Sequence, residues 1–590
     1  MSPWRNPMPH YDLEVIRHSC AHLMAQAIFR LFPNEKVQLG VGPTIEEGFY
    51  YDIKMEHKLT EEDLKQIEQK MKEIVKEDLL VVRRVLSRQE ALDYFSSTGQ
   101  DLKVELIQDL PENEEISCYT QGEFTDLCRG PHVERTGHLP LSFKLLHTAG
   151  AYWRGDADRA MLQRVYATCF ENKDKLKEYL TFMEEAKKRD HRRLGVDLEL
   201  FVFDTRAPAS PFFTPKGAFI YNQLVDFMRQ LYVTYEYQEV ITPQILDVEL
   251  WHTSGHYENY KDNMYFTKID EREFAVKPMN CPCHMLLYKH FKYSYRDLPL
   301  RMADFGRLHR YEKSGTLAGL TRVRTFCQDD GHIFLPLSEV QAEIGRVMEM
   351  YFTVYDHFGL KDARIFLSTR PPKKIGDDSI WDTAENGLKE ALEKSGRPFQ
   401  INEGDGAFYG PKIDFQLADA LKRYHQLGTI QLDFNLPERF DLKFTNQQGE
   451  LERPVVIHRA LLGSLERFFA IYLEHVGGAY PFWLAPEQAV IVPVANDRHT
   501  ESAKVLHGYL KKLGFRVKVD DRPESMGLKT RQIQMKKIPF MLVIGDREME
   551  SQTVSVRAYG EKQSVSWNMD QLTNEFLRLK SLRLPPSLRE

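Results

Sequence analysis

The chain has 590 residues, of which 42% are hydrophobic, and it carries a formal net charge of −7. This length predicts about three or four domains, and no apolar run approaches the ~20 residues that a membrane-spanning helix needs. Seven cysteines, an odd number in a long chain, argue against a disulfide framework and favour a reducing compartment. The first residues also lack the apolar stretch of a signal peptide. A cytoplasmic protein without a membrane segment is therefore expected.

The first predicted domain covers residues 1–170 and mixes helices with short alternating strands. A helix from Asp12 to Phe32 is predicted to be amphipathic, because apolar residues at helical spacing share one face. These residues are Ile16, Cys20, Leu23 and Ala27.

Two pairs of possible metal ligands lie in this first domain. His18 and His22 are one helical turn apart, on the face opposite the apolar one. Cys128 and His132 form a second pair further along the chain. Taken alone, a His-x₃-His pair together with a Cys-x₃-His pair indicates a tetrahedral zinc site.

The rest of the chain divides into three predicted parts. Residues 171–194 are rich in charge and predict a linker helix, and residues 195–484 form the largest domain. In residues 485–590, strands alternate with helices, which predicts a small α/β domain with a largely parallel sheet. This last part has 18 Lys and Arg against 13 Asp and Glu, so its net charge is +5 and the remainder carries −12. A basic C-terminal domain is compatible with contacts to nucleic acid phosphates.

Arginine is unusually dense in the largest domain between residues 301 and 324. Two runs that can form strands flank a loop that contains glycine. Guanidinium groups on partly apolar strands are costly unless an anion neutralises them, and their geometry matches phosphate oxygens. A polyphosphate partner is therefore expected, and a solvated basic face is the alternative. The arginines are Arg301, Arg307, Arg310, Arg322 and Arg324.

Further segments carry a resemblance to a known family. Arg467 lies within the apolar run Leu461–Ala470, so its charge must face a specific partner. Together with the arginine-rich stretch, this run resembles motifs 2 and 3 of class II aminoacyl-tRNA synthetases. The predicted helix from Phe219 to Tyr235 and the following Glu239–Pro243 resemble motif 1. Four more segments narrow the resemblance to threonyl-tRNA synthetases over essentially the whole chain: Lys277–Pro282, Gln328–His332, Phe408–Ile413 and Gly428–Phe434.

The resemblance implies an α+β multidomain fold. An antiparallel-sheet class II catalytic core would occupy residues 195–484, between an N-terminal α+β editing domain and a C-terminal α/β anticodon-binding domain. The implied activity is the ATP-dependent attachment of L-threonine to tRNA(Thr) through threonyl-adenylate, with Mg²⁺ accompanying ATP, in a homodimer. The small ubiquitin-like domain that precedes the editing domain in many relatives is not expected, because the editing helix begins near residue 12.

The resemblance also implies one zinc ion per subunit in the catalytic domain, held by Cys281, His332 and His458. Spacings of 51 and 126 residues would not nominate these side chains by themselves. Three protein ligands leave a coordination position open, as in functional zinc sites. A metal suits the substrate, because an apolar pocket separates threonine from the nearly isosteric valine only about a hundredfold. The chain has Cys283 where the family usually has glycine, which introduces a competing thiol, and Leu427 where a cysteine is expected.

Roles in the two reactions are implied by the same resemblance. The amino acid pocket would be completed by Gln328, Asp330, Tyr409 and Gln426. ATP would be bound by Arg310, Glu312, Arg322, Phe326 and Arg467, of which Phe326 and Arg467 would enclose the adenine ring. Catalytic roles fall on Arg310, Lys412 and His256, where His256 would serve the transfer of threonine to tRNA.

Serine keeps the hydroxyl of threonine and lacks only a methyl group, which is worth about 1–3 kcal/mol of discrimination. A second, hydrolytic site is therefore expected. In the threonyl family the N-terminal cluster hydrolyses seryl-tRNA without a metal, whereas related alanyl-type domains hold zinc with the same set. The metal-free interpretation is favoured here. The residues are His18, His22, Lys103, Asp126, Cys128 and His132.

Arg531, Glu548 and Arg557 match positions that contact the anticodon in the family, although Pro523 replaces an asparagine that is usual nearby. Surface ion pairing is the alternative for each of the three. Two other functions remain open for the whole chain. One is a catalytically silent paralogue that binds tRNA or mRNA as a regulator, and the other is a zinc hydrolase centred on the N-terminal cluster.

Overall fold

The computed structural model describes residues 11–156, 158–360, 363–375, 377–419 and 422–583. The first ten residues, where no signal peptide is expected, lie outside this range. The chain divides into two units, Met1–Glu184 and Glu185–Glu590. No helix among the described residues is long and apolar enough to cross a membrane.

The first unit packs four helices against two antiparallel sheets. Its larger sheet has the order β1-β3-β8-β7, with β2 beside β3, and its smaller sheet has the order β4-β5-β6. The helices are α1 (Leu13–Leu31), α2 (Glu61–Glu77), α3 (Arg88–Ser97) and α4 (Asp101–Asp109), and α5 (Lys173–Arg189) leads into the second unit. The strands are β1 (Gln38–Leu39), β2 (Thr44–Ile45), β3 (Gly48–Lys54), β4 (Val81–Leu86), β5 (Ile116–Gln121), β6 (Phe124–Leu127), β7 (Phe143–Tyr152) and β8 (Met161–Cys169).

Helix α1 is not amphipathic in the way that the sequence predicts. Every residue from Ser19 to Ile28 is buried, including His22, which is 3% exposed. The face that carries the histidines is covered because Phe124 packs against the His22 ring and Gln26 bonds to Gln121. The face of α1 that carries the histidines therefore packs against β5 and β6.

The second unit contains thirteen helices that begin within its described residues. Before residue 485 they are α6 (His191–Asp197), α7 (Pro215–Thr234), α8 (Glu249–Ser254), α9 (His256–Tyr260), α10 (Cys281–Lys289), α11 (Val340–His357), α12 (Asp378–Ser395), α13 (Asn435–Arg439) and α14 (Leu465–His475). In the C-terminal part they are α15 (Asn496–Lys512), α16 (Met526–Met535), α17 (Asp546–Ser551) and α18 (Met569–Ser581).

The strands of this unit form one large sheet and several small ones. Those before the main motifs are β9 (Phe201–Phe203), β10 (Pro211–Phe213), β11 (Gln238–Glu239), β12 (Ile245–Asp247), β13 (Tyr265–Ile269), β14 (Arg272–Val276) and β15 (Tyr293–Ser294). Next come β16 (Leu300–Asp304), β17 (Arg307–His309), β18 (Thr325–Leu335), β19 (Arg364–Ser368), β20 (Gln400–Asn402), β21 (Lys412–Ala418), β22 (Tyr424–Asp433), β23 (Phe444–Thr445), β24 (Leu451–Glu452) and β25 (Val455–Ser464). The C-terminal strands are β26 (Ala489–Pro493), β27 (Val517–Val519), β28 (Phe540–Ile544), β29 (Thr553–Ala558) and β30 (Val565–Asn568).

The large sheet has the order β11-β16-β18-β25-β22-β21-β19-β20, and β17 pairs with β18. Its six central strands are antiparallel, and only the outermost pairs β11–β16 and β19–β20 are parallel. Helices α7, α11 and α14 contribute buried apolar residues to the core that covers this sheet. The opposite face of the central strands therefore remains available for polar side chains.

The C-terminal part is a five-stranded sheet in the order β27-β26-β28-β29-β30. The first three strands are parallel and the last two are antiparallel additions. Apolar residues of α15 and α18 join the main core on one face, whereas Ile533 of α16 packs on the other. This agrees with the α/β domain that the alternating pattern predicts.

Candidate functional site

One cavity of about 380 Å³ opens against the large sheet. It is lined by every predicted residue of the zinc, threonine and ATP sites and by Lys412. These are Cys281, Arg310, Glu312, Arg322, Phe326, Gln328, Asp330, His332, Tyr409, Lys412, Gln426, His458 and Arg467.

Strand pairing brings the possible metal ligands together. His332 of β18 lies directly opposite His458 of β25, and Nε2 of His332 is 3.1 Å from Nδ1 of His458. Cys281 is the first residue of α10, and one ligand atom from each of the three residues lies within 4.8 Å of the others. A thiol and two imidazoles at this separation are a donor set that suits zinc.

The outward nitrogen of each histidine is occupied by another buried group. Nδ1 of His332 is 2.8 Å from Nδ1 of His284, and Nε2 of His458 is 2.8 Å from a carboxylate oxygen of Asp433. Burial, and then the neighbouring His284, lower the pKa of His332, so its ring is neutral and can offer a lone pair. Such partners fix the tautomer and orientation of metal-binding histidines.

Cys283 is not part of this cluster. Its surroundings include Thr242, Lys277 and Asp304, and burial raises the pKa of its thiol to about 11. Among the described residues, the donor group at this site contains Cys281 and not Cys283. The structure therefore separates the two thiols that the sequence places in competition.

Polar groups beside the histidines form a pocket for a small ligand. Asp330 accepts a hydrogen bond from the Asn280 amide at 3.1 Å, and burial raises the pKa of its carboxyl. The Tyr409 ring stacks on His458, and its hydroxyl donates to Gln431. The side chain of Gln426 donates to Asp414, which also pairs with Lys412 at 3.0 Å.

Cationic side chains concentrate at the other end of the cavity. Nε and a terminal nitrogen of Arg467 donate to the carbonyl oxygens of Thr321 and Gln426, at 2.8 and 2.7 Å. Burial, followed by the charges of Arg322 and Arg310, lowers the pKa of Arg467 to about 10. An excess of buried positive charge of this kind is relieved by a polyanion.

The arginines between residues 301 and 324 divide between the cavity wall and its surroundings. Arg322 pairs with Glu312 at 3.3 Å, and the Arg310 guanidinium lies 5.0 Å from the centre of the Phe326 ring. Outside the cavity, Arg301 and Arg307 make ion pairs with the buried carboxylates of Glu343 and Glu466, and Arg324 donates to the backbone of residue 312. Some arginines of this stretch thus face the cavity, and the others stabilise the structure around it.

His256 does not line the cavity. It is fully buried, with Nδ1 2.8 Å from the Ser254 hydroxyl and Nε2 3.0 Å from the sulfur of Met279. Met279 itself lines the cavity, so His256 lies one side chain behind the wall. Burial lowers the pKa of His256 to about 3, and the ring is therefore neutral at ordinary pH.

The N-terminal unit contains a second cluster. One ligand atom from each of His18, His22, Cys128 and His132 lies within 4.8 Å of the others. The Cys128 sulfur is 3.2 Å from Nε2 of His18 and 3.1 Å from Nε2 of His132. Burial lowers the pKa of all three imidazoles and raises that of Cys128 to about 11.

A buried ion pair adjoins this cluster. The Lys103 ammonium is 2.6 Å from one oxygen of Asp126, whose other oxygen is 3.5 Å from Nε2 of His22. The Tyr51 hydroxyl donates to Asp126 and accepts from Lys103. The structure therefore joins all six predicted residues and adds Tyr51, which sequence patterns did not indicate.

The three predicted anticodon residues are not gathered in one cavity. Arg531 is exposed on α16, whereas the Glu548 carboxylate accepts a hydrogen bond from the backbone amide of Gly545 at 3.0 Å. Arg557 lies on β29 opposite Met541 and is half-buried. Their common function stays a prediction.

Several buried partners escaped the sequence analysis. Asp433 contacts His458, and His284 contacts His332. The fully buried Arg459 contacts the backbone of Asp329. The only sequence signal is their position next to the motifs. Their partners are fixed by strand register, which local patterns do not contain.

The chain matches three family models. The tRNA synthetase class II core domain (G, H, P, S and T) matches residues 265–476, and the anticodon binding domain matches residues 488–579. The second additional domain of threonyl and alanyl tRNA synthetases matches residues 116–166. These matches confirm the predicted fold class.

Sequence relatives and solved structures agree with these matches. The chain is 53% identical to a threonine–tRNA ligase of Bdellovibrio bacteriovorus, over 95% of this chain and 86% of the relative. It is 52% identical to one of Carboxydothermus hydrogenoformans, over 93% of this chain and 86% of the relative. The RNA binding domain of threonyl-tRNA synthetase from Cryptosporidium parvum superposes with a TM-score of 0.64 at 47% identity, covering 66% of this chain and 98% of that one. The chain therefore belongs to the threonine–tRNA ligase family of class II synthetases.

Proposed function

We propose that the chain attaches L-threonine to tRNA(Thr) with ATP, rejects valine through a zinc ion, and hydrolyses mischarged seryl-tRNA(Thr). The observation that carries this proposal is the shared cavity, which has the Cys281, His332 and His458 donors at one end and Arg310, Arg322 and Arg467 at the other. The predicted domain boundaries at residues 170, 194 and 484 are retained in this proposal.

In the first reaction, the carboxylate of threonine attacks the α-phosphorus of ATP and pyrophosphate leaves. Positioning and neutralisation of charge dominate such a step. Arg310 would contact the α-phosphate, Arg322 the γ-phosphate, and Arg467 the adenine face, with Mg²⁺ accompanying the phosphates. Two backbone hydrogen bonds support Arg467 in this role, because they fix its guanidinium before the nucleotide arrives.

The donor set at the other end fits a zinc ion held by Cys281, His332 and His458. Zinc bound there would accept the amino group and the hydroxyl of threonine, and valine has no hydroxyl to offer. Asp330 would accept a hydrogen bond from the ammonium or hydroxyl, and its bond to Asn280 supports a fixed orientation. Tyr409 and Gln426 would close the pocket.

In the second reaction, a hydroxyl of the terminal adenosine of tRNA attacks the threonyl carbonyl and AMP leaves. His256 is proposed to carry the proton path, because its ring contacts Met279 in the cavity wall. Because it lies behind Met279, contact with the substrate requires that Met279 moves.

Editing is assigned to the N-terminal cluster. Water would add to the ester carbonyl of seryl-tRNA, and serine and the free terminal hydroxyl of the tRNA would leave. An imidazole of this cluster, from His18, His22 or His132, would accept the proton of that water. The Lys103–Asp126 pair adjoins the cluster and is proposed to assist the reaction. The same four donors also fit zinc, so the choice between a metal-free and a zinc-dependent site is tested below.

A homodimer and a cytoplasmic location complete the proposal, and Arg531, Glu548 and Arg557 are proposed to contact the anticodon. The decisive experiment is ATP–pyrophosphate exchange with threonine, serine and valine, before and after zinc is stripped. We expect zinc-dependent exchange with threonine, weaker exchange with serine and none with valine. Absence of exchange with every amino acid would overturn the catalytic proposal and favour a silent RNA-binding paralogue.

A further inference from the structure

A line of buried polar side chains leads from His332 away from the cavity. Nδ1 of His332 and Nδ1 of His284 are 2.8 Å apart, and the two rings are nearly perpendicular. Nε2 of His284 makes no hydrogen bond to a described residue and is 3.7 Å from a carboxylate oxygen of Asp304. None of these three residues is more than 3% exposed.

Asp304 is anchored at the far end of this line. The Thr242 hydroxyl donates to Asp304 at 2.7 Å and accepts from the Lys277 ammonium at 2.7 Å. The same ammonium is 3.7 Å from the Asp304 carboxylate. Lys277 is fully buried, so its charge stabilises an ionised Asp304 without competition from solvent.

The Nδ1–Nδ1 contact fixes the order of protons along the line. Only one of two nitrogens at this distance can donate to the other. Nε2 of His332 faces His458 within the donor group, so a His332 that binds metal through Nε2 carries its proton on Nδ1. His284 then accepts at Nδ1, and its own proton lies on Nε2, towards Asp304.

His284 also shares a helix with the thiol of the donor group. Cys281 begins α10 and His284 follows three residues later, one turn along the same helix. One turn of α10 thus supplies the donor Cys281 and, through His284, a contact to the second donor, His332. The His458 ring, by contrast, contacts its carboxylate Asp433 directly.

We propose that His284 is a positioning residue for zinc, which holds the His332 ring in its ligating orientation and tautomer and directs its own Nε2 towards the Asp304 carboxylate. The inference deepens the proposed function and rests on zinc binding by Cys281, His332 and His458. Outer partners of metal-binding histidines change metal affinity about 10- to 100-fold when they are removed.

Two amide variants separate positioning from packing. In His284→Asn the amide can occupy the place of Nδ1 and still accept from His332, whereas in His284→Gln it occupies the place of Nε2 and loses that contact. Zinc dissociation into a chromophoric chelator is measured on the purified full-length chain, and visible spectra are recorded after cobalt substitution. Cys281→Ala shows how much zinc the chain binds outside the proposed site. Cys283→Ala is the matched control, because it changes a buried residue on the same turn of α10 that is not in the donor group.

We expect zinc to leave His284→Gln about 10- to 100-fold faster than the wild type, with altered cobalt bands and a raised KM for threonine. His284→Asn should lie close to the wild type, and Cys283→Ala should match it. Equal dissociation from the wild type and both His284 variants would overturn the inference but leave the zinc proposal intact. Equal acceleration in Asn and Gln variants, with the same loss of melting temperature, would show a packing role only. A wild type that retains no more zinc than Cys281→Ala would overturn the zinc proposal and the inference together.

Discussion

Gly331 and Arg459 lie opposite each other on β18 and β25, and the guanidinium of Arg459 crosses the space where a side chain at position 331 would stand. A Cβ atom on Gly331 would be 2.5 Å from Cζ of Arg459. Arg459 is fully buried between the Tyr232 and Tyr237 rings and donates to the backbone oxygen of Asp329. The glycine is therefore required by the arginine that passes over it.

Gly331→Ala should displace Arg459 and weaken its pairing with Asp329. Breaking a buried ion pair costs about 3–5 kcal/mol, so we expect a clear fall in melting temperature. Because Gly331 lies between Asp330 and His332, the KM for threonine should also rise. Gly345→Ala is the control, since its Cβ would meet nothing within 4 Å and alanine favours helix α11 by about 1 kcal/mol. Equal melting temperatures for Gly331→Ala and Gly345→Ala would contradict the prediction.

Local patterns predicted individual elements well and long-range partners poorly. The strands predicted to alternate with helices after residue 485 include β28. The predicted helix from Phe219 to Tyr235 is α7, which begins earlier because Thr214 caps it and Pro215 occupies its first turn. Both depend on neighbouring residues only. The face of α1 was misjudged because burial of its second side depends on strands about 100 residues away.

The proposed zinc donors show the same limit at the site. His332 and His458 are 126 residues apart, and only the register of β18 against β25 makes them neighbours. The resemblance to known motifs supplied what spacing could not. It did not supply His284, Asp433 or Tyr51, because these residues support others and are recognised only by their contacts.

Arg467→Lys should weaken ATP binding while it leaves threonine binding nearly unchanged. Lysine keeps the charge but cannot bond to the Thr321 and Gln426 carbonyls at once from a planar fork. Loss of one or two charged hydrogen bonds, at about 1.5–3 kcal/mol each, predicts at least a tenfold rise in the KM for ATP in pyrophosphate exchange. Arg346→Lys, at an exposed pair with Glu236, is the control. A KM for ATP equal to that of the control would refute the assigned role.

Cys128→Ala should reduce deacylation of seryl-tRNA(Thr) by roughly 10²-fold, because the sulfur contacts both His18 and His132 and general acid–base catalysis is typically worth that much. Charging with threonine should be unaffected. If the cluster is metal-free, elemental analysis will find one zinc per chain in the wild type and in Cys128→Ala, and none in Cys281→Ala. Two zinc ions in the wild type, one of them lost with Cys128, would instead establish a zinc-dependent editing site.

Ile241→Asp should shift the chain from dimer to monomer. Ile241 is 92% exposed on the segment that resembles motif 1, between β11 and Pro243. A second copy of the chain that packs on the motif 1 segment would cover this side chain, and an aspartate there would lose its hydration without gaining a partner. Sedimentation at several protein concentrations measures the shift. Val505→Asp is the control, since Val505 is 73% exposed on α15 in the C-terminal part. If both variants keep the mass of the wild type, Ile241 does not lie in a subunit interface.

Glu199 should give the second unit a stability that disappears in acid. Its carboxylate accepts hydrogen bonds from Lys216 at 2.8 Å and from Lys536, which directly follows α16, at 2.9 Å. It therefore joins the part of this unit before residue 485 to the C-terminal part. The bonds from Lys216 and Lys536 lower the pKa of Glu199 to about 2. A carboxyl whose pKa is lower in the folded state stabilises the fold above its unfolded pKa, about 4.3, and loses that contribution as the pH falls towards 2.

Glu199→Gln should therefore lower the melting temperature at pH 7, and the difference from the wild type should shrink as the pH falls below about 4.3. Because the side chain is largely exposed, solvent screening limits the effect to about 1 kcal/mol or less. Calorimetry at pH 7, 4 and 3 measures the difference. Glu501→Gln, at an exposed pair within α15, is the matched control and should show no pH-dependent difference. A constant difference for Glu199→Gln at all three pH values would mean that its contribution does not come from charge.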